Sequence, residues 1–336
     1  MPGYLDAAGN LVRQLVGESS LPRLRILDMD TVSPIPGVRQ AYVPRYEGDV
    51  DPAALRRMAN RRRTITRDVE RGLGGEAHRW YHAEPIRQQF ISELGDKAGN
   101  EQYNLFASMV AGTSSAAPVR ENIRKASWYR QQALAGRLPA GELDRYDDAQ
   151  KWIKANTPPA GYGSVAQIND AMWASRFLDG PQAWRSARAG APHKIISFEQ
   201  NLRGNLAPWT GDRHEAARLG VQPVWSRRSQ AFEKGQLTPN EYVAAEQMIR
   251  KMAGSLGLQP AEFQSARWMG GSAATGVKSA DPTFPHAFEA VVALQAARTG
   301  RTPQEVMREF IRNGGLLSAA ATAALSEDEL IGRLGR

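Results

Sequence analysis

Apolar residues recur at three- and four-residue intervals along most of this 336-residue chain, and no segment sustains the alternation of a half-buried strand. That spacing lines apolar side chains along one face of a helix. It runs through residues 76–94, 100–111, 118–136, 140–155 and 164–178, and again through 192–203, 212–219, 238–256, 260–270, 285–299 and 302–314. Helix-start signals accompany it: Asp212 with Glu215, Thr238-Pro239 with Glu241, and Thr302-Pro303 with Glu305. The expectation is an all-α fold, a helical barrel or bundle with strands minor.

The first 52 residues break the pattern. Pro34, Pro36, Pro44 and several glycines leave a helical pattern only near residues 4–17, so this stretch reads as an irregular N-terminal arm. Residues 53–75 follow as one arginine-rich helix carrying Arg56, Arg57, Arg61, Arg62, Arg63, Arg67 and Arg71 against Asp68 and Glu70. Such a run is either a solvated helix face or a set of phosphate contacts, and the excess of arginine favours phosphate at Arg61, Arg62 and Arg63. Residues 76–275 then form a helical domain, and 276–336 a helical extension.

Charge and cysteine narrow the chemistry. The net charge is +8, and arginine supplies 35 of the 43 basic residues. Guanidinium pairs bidentately with phosphate, so this excess points to a polyanion such as nucleic acid. With no cysteine, disulfides, thiolate zinc sites, cysteine nucleophiles and cysteine-held iron–sulfur clusters are excluded. No apolar run approaches a membrane span, and the N-terminus lacks the form of a secretory signal. An intracellular location, cytoplasmic and bacterial or phage-encoded, is expected, with no membrane partner.

The most informative stretch is RAGAPHKIISFEQNLRGNLAPWTGDRHEAARLGV, residues 188–221. It reads as a Gly-Pro turn, an amphipathic helix built on Ile195, Ile196, Phe198 and Leu202, a Gly/Asn/Pro loop, and a second helix. Asp212 stands where its carboxylate can accept from the first N–H groups of that second helix. Lys194, at the start of the first helix, precedes it by eighteen positions. Taken singly, Asp212 with Glu215 is a capping arrangement and a lysine at a helix start is solvated.

The paired arrangement resembles the helix-hairpin-helix DNA glycosylase superfamily, in its endonuclease III-like branch. There a hairpin of the form L-P-G-V-G-x-K leads through a helix and loop to V-D-T-H and a helix often reading R-L-G. Here the hairpin is RAGAPHK and the second motif TGDRHEAARLG, with the same lysine-to-aspartate spacing. The resemblance implies Lys194 as the amine nucleophile and Asp212 as the catalytic carboxylate. It implies duplex DNA as the partner, held by its phosphate backbone with one base flipped out. DNA contacts would come from Arg188, Gly190, His193, Arg213 and His214, from the small polar loop holding Ser114 and Ser115, and from Gln167, where a lysine is common. The likeness covers roughly residues 85–270 and is strongest in 188–221.

Departures are evident. Pro192 replaces the second hairpin glycine and removes an N–H donor. Gly211 stands before the aspartate and Arg213 before the histidine, and the iron–sulfur cluster of many relatives is ruled out. No cofactor or metal is expected; His78 and His82 share a helical spacing but lack supporting carboxylates beyond Glu76 and Glu84. Trp80, Tyr81, Trp128, Tyr129, Trp152 and Trp173 read as core, and Tyr162 and Trp209, beside loops, as base-stacking candidates.

These residues suit base excision. Breaking an N-glycosidic bond builds positive charge on the sugar, which Asp212 would stabilise once the base is flipped. Lys194 would attack C1′ if burial or a neighbouring cation made its amine available; with water instead, Asp212 alone supports a monofunctional enzyme. The expected activity is a DNA glycosylase acting on a damaged or modified base, with or without lyase activity. Two alternatives stand beside it: a non-catalytic DNA-binding or phage-particle protein assembling through the arm, and a base-modifying enzyme on the same scaffold.

Overall fold

The computed structural model describes residues 25–31, 42–47, 52–114, 117–156, 164–179, 193–221, 224–226, 231–233, 237, 239–271 and 281–315. Helices carry the fold, as the periodicity predicts, and among the described residues sheet is confined to two antiparallel two-stranded ribbons. The helices starting after Asp212 and at Pro239 and Pro303 begin at their sequence signals, and those at Pro260 and Phe284 within a residue of the periodic segments. Thr302 and Glu305 close a reciprocal capping box at the last of these.

Two expectations need correction. The arm contains a ribbon: β1 (Arg25–Thr31) pairs with β2 (Tyr42–Glu47). Its register shifts between Leu27 and Asp30, opposite Pro44, a residue with no N–H to offer the ladder. Each strand is too short for its alternation to stand out beside the prolines. The arginine-rich segment is two helices rather than one, α1 (Pro52–Ala59) and α2 (Arg62–Leu73), broken at Asn60 and Arg61. Met58 of α1 and Ile65 of α2 both enter the core, each with no exposed surface.

The chain divides into two compact units, each assembled from separated segments. The first draws on residues 1–34, 39–81 and 192–282. Besides β1, β2, α1 and α2 it holds a 3-10 turn (Ala77–Arg79), α8 (His193–Leu202), α9 (Arg213–Arg218), β3 (Val224–Ser226), β4 (Ala231–Glu233), α10 (Pro239–Ser255) and α11 (Pro260–Gly270). Its core gathers Met58, Ile65, Val69, Trp209, Leu219, Tyr242, Ile249 and Phe263. Helices α2 and α11 touch backbone to backbone. A Cβ on Gly72 would lie 1.9 Å from the Ala266 carbonyl oxygen, and one on Gly270 the same distance from that of Asp68. Only glycine admits this approach, and it holds α2 rigidly against α11.

The second unit, residues 35–38, 82–191 and 283–336, contains α3 (Glu84–Leu94), α4 (Asp96–Gly112), α5 (Val119–Leu134), α6 (Tyr146–Asn156), α7 (Ser164–Asp179), α12 (Phe284–Thr299) and α13 (Pro303–Asn313). Phe90, Phe106, Phe284, Phe288 and Phe310 fill its centre. Arg130, fully buried, lies over the rings of Phe90 and Phe310 at 5.0 and 5.1 Å and donates to the Phe310 and Ile311 carbonyls. It thereby adds side-chain donors to carbonyls of the last turn of α13, where the Gly314 N–H also meets that of Phe310.

A buried ion pair sits between α5 and α7: Lys125 Nζ lies 3.3 Å from Asp170 Oδ2, with Glu121 3.8 Å from the same nitrogen. Burial raises the Asp170 carboxyl from 3.8 to about 7, outweighing the pull of Lys125. Between those values the folded chain keeps a proton that the unfolded chain has released, so stability falls as pH rises through this window. Thermal unfolding of wild type and Asp170→Asn from about pH 4 to pH 7.5 checks this. The wild-type midpoint is expected to drop with pH relative to the variant; parallel curves would refute the assignment.

Candidate functional site

Helix α8 is buried along nearly its whole length. Ile195, Ile196, Phe198 and Leu202 pack inward as their spacing predicts, but Ser197, Glu199, Gln200 and Asn201 are buried as well. Buried polar groups require partners, and here they bind the loop that follows. The Asn201 amide nitrogen faces the carbonyls of Ser197, Asn205 and Pro208 at 3.2, 2.8 and 3.1 Å, while its oxygen accepts from the Thr210 hydroxyl at 2.7 Å. Gln200 accepts from the Asn205 amide at 2.9 Å, and Glu199 pairs with Arg203.

Helix α10 secures the other side of the loop. The Tyr242 hydroxyl donates to the Trp209 carbonyl at 2.6 Å and accepts from the Gly211 N–H at 3.2 Å. Burial raises the Tyr242 phenol well above its ordinary value, so it stays protonated and able to donate. Gly211 is required here because a Cβ would fall 2.5 Å from the Trp209 ring. Trp209 itself has no exposed surface and packs against Tyr242 with ring centroids 4.9 Å apart. This corrects its reading as a stacking platform: the loop folds inward, and the tryptophan is the plug beneath it.

This anchored loop delivers Asp212 in an extended conformation at the head of α9, where Oδ1 accepts from the Glu215 N–H at 2.8 Å. Asp212 is half-buried. Glu215 points inward and pairs with Arg267 of α11, both about 1 % exposed, and Arg218 pairs with buried Asp68 of α2. Asp68 and Asp212 both act electrostatically on Arg267. Three carboxylates and two guanidinium groups from α2, α9 and α11 thus surround the start of α9.

Lys194 reaches the same neighbourhood from α8. Its half-buried side chain places Nζ 5.7 Å from the Phe198 ring centroid. Phe198 meets Tyr81 edge to face at 5.9 Å and Trp80 at 6.0 Å, and Trp268 abuts Trp80 at 5.8 Å. The Tyr81 hydroxyl donates to Gln264 at 2.7 Å. Burial raises this phenol, and the Asp212 charge adds to the effect. Lys194 and Asp212 are therefore joined through Phe198 and Tyr81 in one unit. The ring face attracts the ammonium and holds the side chain against the aromatic wall.

Other predicted residues are distributed more widely. His214 is half-buried on α9, and Arg61, Arg62 and Arg63 are exposed at the α1–α2 break. Ser114 and Gln167 belong to the second unit. The Ser114 hydroxyl donates to the Ala111 carbonyl at 2.8 Å, and the Gln167 carbonyl accepts from Tyr129 at 2.9 Å. Arg188, Gly190, Ser115 and Tyr162, together with the side chains of His193 and Arg213, lie outside the described residues. Among the described residues no cluster of three or more histidine, aspartate or glutamate side chains is arranged to hold a metal.

Trp80, Tyr81, Trp128, Tyr129 and Trp173 are buried as expected, and Trp152 is half-buried. Sequence reasoning passed over Asn201, Thr210, Tyr242 and Arg267, and read Tyr81 only as core and Glu215 only as a capping partner. Arg267 carried a legible signal: it sits four residues after Phe263, beside Ala266, on the apolar stripe of its helix, where an unpaired charge is too costly to bury.

No protein-family model, curated protein or solved structure matches the chain.

Proposed function

We propose that this protein is a DNA glycosylase that flips and excises a damaged or modified base, with Asp212 as its catalytic carboxylate and Lys194 as its nucleophile. The observation that carries this reading is the placement of Asp212. A half-buried carboxylate stands at a helix head, its loop anchored from α8 by Asn201 and from α10 by Tyr242, beside the aromatic cluster that bears Lys194. A cap alone has no need of so rigid a mount. Oδ1 is engaged by the α9 backbone, which leaves Oδ2 to face positive charge developing on the sugar.

In the reaction the glycosidic bond breaks, its electron pair leaves with the base, and C1′ becomes electron-poor next to Asp212. The Lys194 amine, once deprotonated, bonds to C1′ and loses a proton; the C1′–O4′ bond then breaks, O4′ taking its electron pair and a proton, which leaves the Schiff base. The exposed arginines of the first unit and the chain's charge of +8 fit a polyanionic substrate.

Borohydride trapping on duplexes containing an abasic site or a panel of altered bases tests the reading. Wild type is expected to give a covalent adduct that Lys194→Ala loses. Base release without an adduct would assign the chemistry to Asp212 and water. Neither release nor adduct on any substrate would favour a DNA-binding protein without catalysis.

A further inference from the structure

We infer that the outward face of α2 is a sequence-independent track for the phosphates of duplex DNA, separate from the Lys194–Asp212 site. The choice of DNA rests on the proposed action on a DNA base; the track itself rests on how the arginines divide. Arg57 turns inward to Glu241, and Arg218 is spent on Asp68. Arg61, Arg62, Arg63, Arg67 and Arg71 are all exposed. Among the described residues the one ion-pair approach to them is that of Arg71 to Asp68 Oδ1 at 3.8 Å, the other oxygen of that carboxylate being held by Arg218. Glu70 is the one exposed acid between residues 61 and 73.

Geometry turns this excess into a row. Arg63, Arg67 and Arg71 are four residues apart on one side of α2, opposite the buried Ile65, Asp68, Val69 and Gly72. Their Cα atoms are spaced by about 6 Å and span about 12 Å, the axial run of roughly three to four phosphates of one strand. The row is stiff, because Gly72 and Gly270 bring the α2 and α11 backbones into contact. It also lies near the candidate site. Arg61 Nε is 3.2 Å from where a Cβ on Gly220 would stand, just beyond the end of α9, and Asp212 heads that helix about 12 Å away along its axis. A duplex whose backbone follows α2 is thereby held beside Asp212, whatever its sequence.

The test is a salt titration of full-length protein on an undamaged duplex between about 50 and 200 mM salt. The slope of log affinity against log salt should fall by about 2 to 3 in R63Q/R67Q/R71Q, with affinity at low salt reduced about 10²-fold. R63K/R67K/R71K, which keeps the charge, should keep the slope. All three side chains are exposed, so thermal unfolding should be unchanged and any loss will report binding. An unchanged slope in the glutamine variant, or tighter binding of an RNA hairpin than of the duplex with only the RNA affinity lost, would overturn the inference. If wild type excises no base yet the slope falls, the track stands and the glycosylase reading fails. If it excises while the glutamine variant keeps its slope, the track fails alone.

Discussion

Arg267→Met is expected to cost about 3–5 kcal/mol of stability, among the largest effects open to a single substitution in the first unit. Methionine fills much the same space, so little of the loss comes from packing. What is lost is the one guanidinium paired with Glu215 among the described residues, and that carboxyl would remain buried beside Asp212 and Asp68. The cost of removing one partner from a buried pair is the stranded charge itself, not merely the lost attraction. Adding Glu215→Gln to Arg267→Met should therefore recover part of the deficit. A double-mutant cycle in urea, read at the unfolding midpoint, measures it. Full additivity of the two substitutions would show that the pair is not coupled.

Asp212→Asn is expected to lower single-turnover base excision by about 10²–10³-fold while leaving the fold intact. The substitution is informative because asparagine is as good an N-cap as aspartate. Its side-chain oxygen can still accept from the Glu215 N–H, so α9 should start where it does now. Only the negative charge proposed to face the sugar disappears. Binding of undamaged duplex should change little, since that term belongs to phosphate contacts rather than to the carboxylate. Full activity in Asp212→Asn would make the aspartate a cap and nothing more. Asp212→Ala, which removes cap and charge together, should lose stability as well, by about 1 kcal/mol.

The helices and their starts were legible because their determinants are local. Three- and four-residue spacing, a proline at the first turn and a capping pair act within a few residues. Asp212 was legible as a cap for the same reason, whereas the pairing with Lys194 is an expectation that the family resemblance supplies. The burial of Trp209 was not. A tryptophan beside Pro208 and Gly211 looks like an exposed loop residue until Tyr242, thirty-three positions away, is seen bonded to its carbonyl. The two-helix form of residues 52–73 was equally hidden, because Asn60 only weakens a helix and nothing local forces the break.

By itself, the sequence determined an arginine-rich, cysteine-free, helical chain with Lys194 and Asp212 in a suggestive register. It could not determine which charges face solvent. Arg267 and Arg63 are alike as letters, yet one is buried against Glu215 and the other stands exposed on α2. That division is set by contacts between α2, α9 and α11, segments up to about two hundred residues apart in a chain this length. Only packing makes the cost of an unpaired buried charge exceed its attraction to water, and so decides which arginines hold the protein together and which remain for a partner.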